Sequence, residues 1–348
     1  MKFFRSKLKL NDLSVLCRQI SFMIDSGISI NKAIEILSLQ KENKTMQLIL
    51  KNVHKNILLG KSFSQCLFVY KNYFPMLMIN MIKSGEDSGN LNEIMRKLAE
   101  YYEREYKFIV NLKKAMTYPL IVCVMVGIVL SIAVTFVIPS YAQIFLESGV
   151  ELPIITRIVI GISNFVSNYF LYLILLFVII FAGVKKFLST DKGKIFYGKL
   201  LLVLPIKKIY LPWLNFVFAQ VMGMLLESGI NIILAMESVK QVVANKFLDK
   251  DFDEMIEEMK KGCRISKTVD DSKKFSPILS AMIKIGESSG KLAEVFNHCQ
   301  GYFENEYNNN LTGLQKLIEP VLTIFIGIIL AIIMMAIMEP TFMMSDIL

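Results

Sequence analysis

Two copies of one short motif hold the residues that most resemble a functional site. Each copy, Gly85-Glu86-Asp87-Ser88-Gly89 and Gly286-Glu287-Ser288-Ser289-Gly290, combines two glycines with a glutamate and a serine. Such a turn can contact a partner at the base of a helix, or its carboxylate can accept hydrogen bonds from nearby backbone amides. Both interpretations stay open. The candidate partner-contact or structural-turn residues are Gly85, Glu86, Ser88, Gly89, Gly286, Glu287, Ser289 and Gly290.

Neither copy matches a nucleotide-binding loop. The pattern GxxxxGK[ST], whose backbone amides cradle phosphates, is absent, and Gly60-Lys61-Ser62 lacks the upstream glycine. We therefore expect no nucleotide to bind by that route.

Further glutamates recur between the two halves of the chain. Glu93, Glu103 and Glu105 correspond to Glu294, Glu304 and Glu306. Carboxylates that act as an acid–base pair share one water-poor pocket. These instead fall on helical segments beside Lys97, Arg104 and Lys107, which predicts a solvated, partly ion-paired helix face. A cation site is possible chemistry for carboxylates, but no EF-hand spacing supports one.

Cysteines and histidines offer little chemistry. The five cysteines include no CxxC pair and are odd in number, which is typical of buried or unreactive thiols in a reducing compartment. His298 and Cys299 are neighbours, so on a helix their side chains point about 100° apart and make a poor metal site. We expect no metal, no cofactor and no catalytic residue, and the lack of a nucleophile–base constellation argues against an enzyme.

The composition indicates a membrane protein. Hydrophobic residues make up 54 % of the 348 residues, and the net charge is +9 at pH 7. Long uncharged stretches predict transmembrane helices over residues 115–140, 169–187 and 318–338, because about 20 apolar residues span a bilayer. Their length disfavours buried soluble helices. Basic charge can serve nucleic acid, but it equally marks the cytoplasmic side of a membrane protein, so we expect no nucleic-acid partner.

The positions of the lysines predict the orientation. Lysines precede the first span and follow the second, whereas residues 139–168 carry Arg157 as their only basic residue and the tail after the third span carries none. Because basic segments stay in the cytoplasm, residues 1–114 and 188–317 are predicted to be cytoplasmic. Residues 141–168 and the tail 339–348 are predicted to be an external loop and an external tail of a multi-pass protein of the cell inner membrane. The N-terminus is then cytoplasmic and the C-terminus external.

The chain contains an internal repeat. Residues 24–28 match residues 226–230 at an offset of 202, and residues 85–91 match residues 286–292 at an offset of 201. Pro119 matches Pro320, so each repeat includes its own span and the second span connects the repeats. No strand-like alternation appears outside the spans. We predict an all-α membrane protein with two repeated cytoplasmic helical bundles of about six helices each, plus three transmembrane helices.

Within the first repeat, short helices are predicted over residues 13–24, 31–39 and 45–59, followed by a short fourth helix capped by Ser62 or Ser64 and a fifth over 74–84. Residues 85–89 are then predicted to form a tight turn. Asn90 can cap a long helix that starts at Leu91 and continues into the first span. Tyr118-Pro119 and Glu319-Pro320 mark the two span entrances, where an acid is either functional or simply at headgroup depth.

The doubled pattern resembles the type II secretion system F family, the inner-membrane platform proteins of type II secretion, type IV pilus and competence pseudopilus machines. The resemblance covers nearly the whole chain. Because the first repeat starts by Leu13, the chain is similar to the short, Gram-positive competence type. The residues that carry the resemblance are Ser26-Gly27, 85–91, 101–105 and Tyr118-Pro119, with Ser228-Gly229, 286–292, 302–306 and Glu319-Pro320 in the second repeat.

The resemblance implies a non-enzymatic machine component. Its cytoplasmic units would contact a hexameric secretion ATPase, and its membrane helices would contact pilin or pseudopilin subunits and other assembly proteins in the lipid bilayer. ATPase movement would then lift pilins into a filament, and we expect a homo-oligomer. A secondary membrane transporter is the alternative, since transporters also contain repeats, but they generally have more spans and keep most of their mass in the bilayer.

Overall fold

The computed structural model describes residues 8–40, 43–132, 136, 140, 154–203 and 206–345. Over these ranges the chain forms helices and no strand, which confirms the all-α prediction. The basic N-terminal residues 1–7, most of the end of the predicted first span and residues 141–153 of the predicted external loop lie outside the described residues.

The first repeat contains six helices, as predicted. Asn43 starts the third helix by accepting hydrogen bonds from the amides of Thr45 and Met46, and Ser62 starts the fourth in a capping box with Gln65. The helices are α1 (Leu10–Asp25), α2 (Ile30–Ser38), α3 (Lys44–Leu58), α4 (Phe63–Phe68), α5 (Met76–Ser88) and α6 (Leu91–Ile132).

The predicted tight turn over residues 85–89 is wrong. Helix α5 continues through Ser88, and only Gly89 leaves the helix, with a φ of +72°. Gly85 looked like a turn residue, yet it lies inside the helix and is buried against α6. The glycine therefore serves close helix packing, and the left-handed conformation that favours glycine is confined to the final position.

The second repeat also contains six helices, α9 to α14. Two helices precede it. Helix α7 contains the residues predicted as the second span but begins earlier, within the segment predicted as an external loop, and α8, which was not predicted, follows that span. The elements are α7 (Ile154–Ser189), α8 (Asp191–Val203), α9 (Lys207–Glu227), α10 (Ile232–Val243), α11 (Asp249–Lys260), α12 (Ile265–Ser272), α13 (Pro277–Ser289) and α14 (Leu292–Ser345).

The chain divides into two compact units. The first comprises residues 1–110 and 194–310, and therefore holds the helical bundles of both repeats; the second comprises residues 111–193 and 311–348. In the first unit, α5 contacts α10, so the bundles pack against each other. Its core includes fully buried aromatic side chains from both repeats: Phe63, Phe74, Tyr102, Phe218, Phe252, Phe296 and Phe303.

Two described stretches are long and apolar enough to cross a membrane, Leu91–Val129 and Lys207–Glu227, and Pro320–Ile332 is a shorter apolar stretch. In Lys207–Glu227, which is helix α9, 67 % of the most apolar 18-residue segment is buried inside the protein. We therefore interpret α9 as a core helix of the first unit. In Leu91–Val129, none of the most apolar 18-residue segment is buried, and this stretch includes the start of the predicted first span. The second and third spans stay predictions.

Candidate functional site

The carboxylate of Glu86 points into the first bundle. One oxygen accepts a hydrogen bond from the amide of Phe63 at 2.6 Å. The other accepts from the amide of Ser64 at 3.0 Å and from its hydroxyl. Because the first amides of a helix have no partner within the helix, Glu86 satisfies two of them and places negative charge at the positive end of α4.

Glu287 makes the equivalent contacts in the second repeat. It accepts hydrogen bonds from the amide of Ile265, at 3.2 Å, and from the hydroxyl of Ser266 at the start of α12. The preceding residue, Arg264, contributes no side-chain hydrogen bond to this helix end. In both repeats, then, the glutamate of the motif caps a short helix that lies 21 to 23 residues earlier in the chain.

The glycines of the motif have two different roles. A Cβ on Gly85 would lie 2.9 Å from Ile94 Cγ1, and one on Gly286 would lie 3.0 Å from Val295, so both permit the fifth helix of the repeat to approach the sixth. Gly89 and Gly290, with φ of +72° and +71°, end the fifth helix in the left-handed conformation.

The serines of the motif face outward. The Ser88 hydroxyl donates to the Ser84 carbonyl, and the Ser289 hydroxyl donates to the Ile285 carbonyl, each within its own helix. Asp87, Ser88 and Gly89 are exposed. The motif therefore joins an inward-facing cap to an exposed helix end. Partner contact at that exposed end stays a prediction.

Two of the recurring glutamates form the predicted ion pairs. Glu93 lies 2.9 Å from the Lys97 ammonium, and this contact, with a hydrogen bond from Asn90, lowers the pKa of Glu93. Glu103 lies 2.7 Å from Lys107 and also pairs with Arg18, which lowers the pKa of Glu103.

Glu105 differs from its neighbours. It is half-buried, and burial raises the pKa of its carboxyl. It lines a cleft of about 710 Å³ in the first unit, together with Leu77, Tyr101 and Tyr102 of the first repeat and Lys240 of the second. The buried Tyr102 hydroxyl has no hydrogen-bond partner among the residues that the structure describes. No pattern in the sequence distinguishes Glu105 from Glu103.

A second cleft of the first unit, about 350 Å³, lies where α6 faces α9 and α14. The Lys97 ammonium is 3.2 Å from a carboxylate oxygen of Glu227, so an ion pair connects the two repeats. Sequence reasoning missed this connection, because the repeat alignment relates equivalent positions and does not show which positions meet. The residues lining the cleft are Lys97, Glu100, Tyr101, Arg104, Gln220, Met224, Glu227, Asn297, Gln300 and Gly301.

The predicted span entrances lie inside continuous helices. Tyr118 is exposed and Pro119 partly exposed within α6, and Pro320 is exposed within α14. The side chain of Glu319 lies outside the described part of the chain. A role for these four residues stays a prediction.

Three of the cysteines agree with the prediction of buried, unreactive thiols: Cys17, Cys66 and Cys299 are buried. Burial raises the pKa of the Cys299 thiol to about 11, so little of the reactive thiolate forms at neutral pH. Cys123 and Cys263 are free and exposed. Over the described ranges, no three His, Cys, Asp or Glu side chains are grouped as they would be around a metal ion.

Comparison with known proteins identifies the family. A family model described as "Type II secretion system (T2SS), protein F" matches residues 16–139 and 218–340, one match for each repeat. The Type IV pilus assembly protein PilC of Thermus thermophilus is 31 % identical over 96 % of this chain and 82 % of its own length. Type II secretion system protein F of Aeromonas hydrophila is 26 % identical over 97 % of this chain and 87 % of its own length.

A third relative, the Protein transport protein HofC homolog of Haemophilus influenzae, is 27 % identical over 99 % of this chain and 87 % of its own length. The matches confirm the resemblance found in the repeated motif and, with the apolar helices, the prediction of an all-α membrane protein. The chain belongs to the type II secretion system protein F family.

Proposed function

We propose that this protein is a membrane platform component of a type II secretion or type IV pilus-like machine. It couples a cytoplasmic secretion ATPase to the assembly of pilin or pseudopilin subunits. Its family and its relatives, which are named as pilus assembly and type II secretion proteins, support this role. The described residues supply packing and ion pairs, and the proposal is accordingly a mechanical one.

The observation that carries the proposal is the continuity of two helices. Helix α6 has 42 residues and α14 has 54, which correspond to about 63 Å and about 81 Å. Each begins in a bundle of the first unit and continues, without a break in the helix, into the second unit. A continuous helix passes on a push or a tilt that a flexible linker would absorb.

The membrane-facing part of the proposal rests on exposed apolar side chains. In α6, beyond the bundle, Leu120 and Met125 are more than half exposed, and in α14 the same holds for Val321 and Ile324. Large apolar side chains exposed along a long helix are stabilised by lipid. With the lysine distribution, this favours spans at residues 115–140, 169–187 and 318–338, bundles and N-terminus in the cytoplasm, and an external C-terminus.

The test is to break α6 just before the proposed span. Lys107 is suited to this because its side chain is exposed and forms an ion pair with Glu103 within the same helix. Lys107→Pro removes a helical hydrogen bond and costs about 3 kcal/mol of helix stability or more, Lys107→Gly costs about 1 kcal/mol, and Lys107→Ala keeps the helix while removing the same ion pair.

The assay is shearing of surface filaments, followed by blotting of the major pilin in surface and membrane fractions. We expect Lys107→Pro to reduce surface pilin to less than about one tenth, Lys107→Gly to give an intermediate loss, and Lys107→Ala to stay within about twofold of the parent. Pilin amount and processing, and the amount of this protein in the membrane, are the controls. Normal filaments with Lys107→Pro present at normal level would refute the coupling role.

A further inference from the structure

The contact between the two repeats in the first unit joins different surfaces of the two repeats. The first repeat contributes α5 and α6, which we call face A, with Leu77, Lys97 and Tyr101. The second repeat contributes α9 and α10, which we call face B, with Met224 and Glu227, and one side of α14 also lines the smaller cleft. Leu77 and Tyr101 line the larger cleft opposite Lys240, and Tyr101 and Met224 line the smaller one. The Lys97–Glu227 ion pair crosses the contact.

Each repeat has both faces, since each has the full set of helices. In the second repeat, face A consists of α13 and α14, where the offset of 201 places Ile278, His298 and Tyr302 at the positions of Leu77, Lys97 and Tyr101. Helices α5 and α13 have 13 residues each and end 201 residues apart, so the alignment holds across them. In the first repeat, face B consists of α1 and α2, where the offset of 202 places Phe22 and Asp25 at the positions of Met224 and Glu227.

In the second copies of the faces, the side chains at these equivalent positions are exposed. Tyr101 is 6 % exposed and its counterpart Tyr302 is 50 % exposed. Leu77 is 3 % exposed and Ile278 is 48 % exposed. Met224 is 9 % exposed, whereas Phe22 is 73 % exposed. The positions are equivalent in the repeat and carry large apolar side chains in both copies, so the difference in exposure reflects the presence or absence of an opposing repeat.

The order of polar groups is also retained. Face A carries a side-chain nitrogen that can donate a hydrogen bond at the central position, from Lys97 in one repeat and from His298 in the other. Face B carries an acid, Glu227 in one repeat and Asp25 in the other. His298 and Asp25 are both exposed. The exposed positions of the two faces are thus complementary, with a hydrogen-bond donor opposite a carboxylate and apolar side chains on both, and each set resembles one that is already paired within the chain.

We infer that a second copy of this protein covers these faces: face B of the first repeat of one copy packs on face A of the second repeat of another. The contact repeats the one inside the chain, with Phe22 near Tyr302 and Asp25 near His298. It is heterologous, since two different surfaces meet, and such contacts close into rings or continue as open rows. The inference rests on the comparison of the repeats and is independent of the proposed function.

The experiment is cysteine cross-linking between two differently tagged copies in the membrane, with the exposed Cys123 and Cys263 replaced by serine. One copy carries Asp25→Cys and the other His298→Cys, and a short bismaleimide is added. Lys97→Cys with Glu227→Cys within one copy calibrates the yield of the internal contact, because their charged groups lie 3.2 Å apart in the parent. Leu48→Cys, at a position 63 % exposed on α3, is paired with His298→Cys as the control.

We expect the Asp25→Cys and His298→Cys pair to cross-link at least about tenfold above the control pair, since cross-linking requires close Cβ atoms. Phe22→Asp should reduce that yield at least about tenfold, while Leu48→Asp should not. Because Phe22 is exposed, its replacement should leave the Tm within about 2 °C of the parent. A yield equal to the control, an unchanged yield with Phe22→Asp, or cross-links between two Asp25→Cys copies in place of the mixed pair would each overturn the inference.

Discussion

Replacement of Glu86 by alanine tests whether the repeated motif holds the bundle together. The side chain accepts three hydrogen bonds at the start of α4, from the amides of Phe63 and Ser64 and from the Ser64 hydroxyl. Helix α4 has six residues, too few for a helix to persist without contacts elsewhere in the fold. Glu86→Ala should therefore loosen α4 before it affects the remainder of the bundle.

The size of the effect follows from the contacts. Loss of a helix cap costs about 0.5–2 kcal/mol, and loss of negative charge at a helix N-terminus costs about 0.3–1 kcal/mol more. The capping box of Ser62 and Gln65 remains and limits the loss. We expect about 2 kcal/mol for the local opening of α4, which corresponds to amide exchange about 30-fold faster than in the parent.

The assay is hydrogen–deuterium exchange of the full chain in detergent or nanodiscs, followed in peptides that cover residues 62–68. Ser88→Ala is the matched control, since it changes the same motif but removes only a hydrogen bond within an exposed helix turn. That variant should exchange at the parent rate over residues 62–68. If Glu86→Ala exchanges within about twofold of the parent there, the cap does not stabilise α4 and our reasoning is refuted.

Two further predictions follow from the same bundle. Gly85→Ala should lower the Tm, because the new Cβ would lie 2.9 Å from Ile94 Cγ1. Overpacking destabilises a core by about 1–3 kcal/mol, whereas the higher helix propensity of alanine stabilises the helix by about 1 kcal/mol. An unchanged or higher Tm would contradict the close approach of the two helices. Burial raises the pKa of Glu105, so its contribution to stability is present below the ordinary glutamate pKa and is lost as the pH rises through the raised value. Thermal melts should accordingly show that the Tm falls less between acid and neutral pH for Glu105→Gln than for the parent. An equal fall in both proteins would contradict a raised pKa for Glu105.

The sequence predicted the features that depend on local patterns. The repeat, the six helices per bundle and the start of α6 at Leu91 follow from apolar periodicity, caps and a constant offset, all of which a linear chain displays. The end of α5 was misplaced because glycine, serine and acidic residues are typical of turns. What keeps residues 85–88 helical is tertiary: the packing of Gly85 on Ile94 and the contact of Glu86 with α4, more than 20 residues away.

The candidate site illustrates the same limit more sharply. The sequence singled out Glu86 and its repeat counterpart, but not the direction in which the carboxylate points, and it grouped Glu105 with solvated neighbours although burial gives that side chain a different environment. The opposition of Lys97 and Glu227 is invisible in the alignment, since these residues belong to different repeats and occupy non-equivalent positions. Such a contact can be recognised only in the folded structure, where the two bundles pack against each other.

Comparison of the repeats distinguishes residues that stabilise each bundle from residues that form contacts between bundles. The motif glycines and glutamate are identical in both copies, and in both they act within one bundle, where each copy must hold its own short helix. Residues at the faces differ between copies: Lys97 against His298, Met224 against Phe22, Glu227 against Asp25. Each face meets a different neighbour, so the side chains differ between the copies while apolar positions stay apolar and polar positions stay polar. A face that meets no neighbour has no need to keep apolar positions, and exposure to water would favour polar side chains there. Phe22 and Tyr302 at the exposed positions therefore argue that these surfaces are covered in the working assembly.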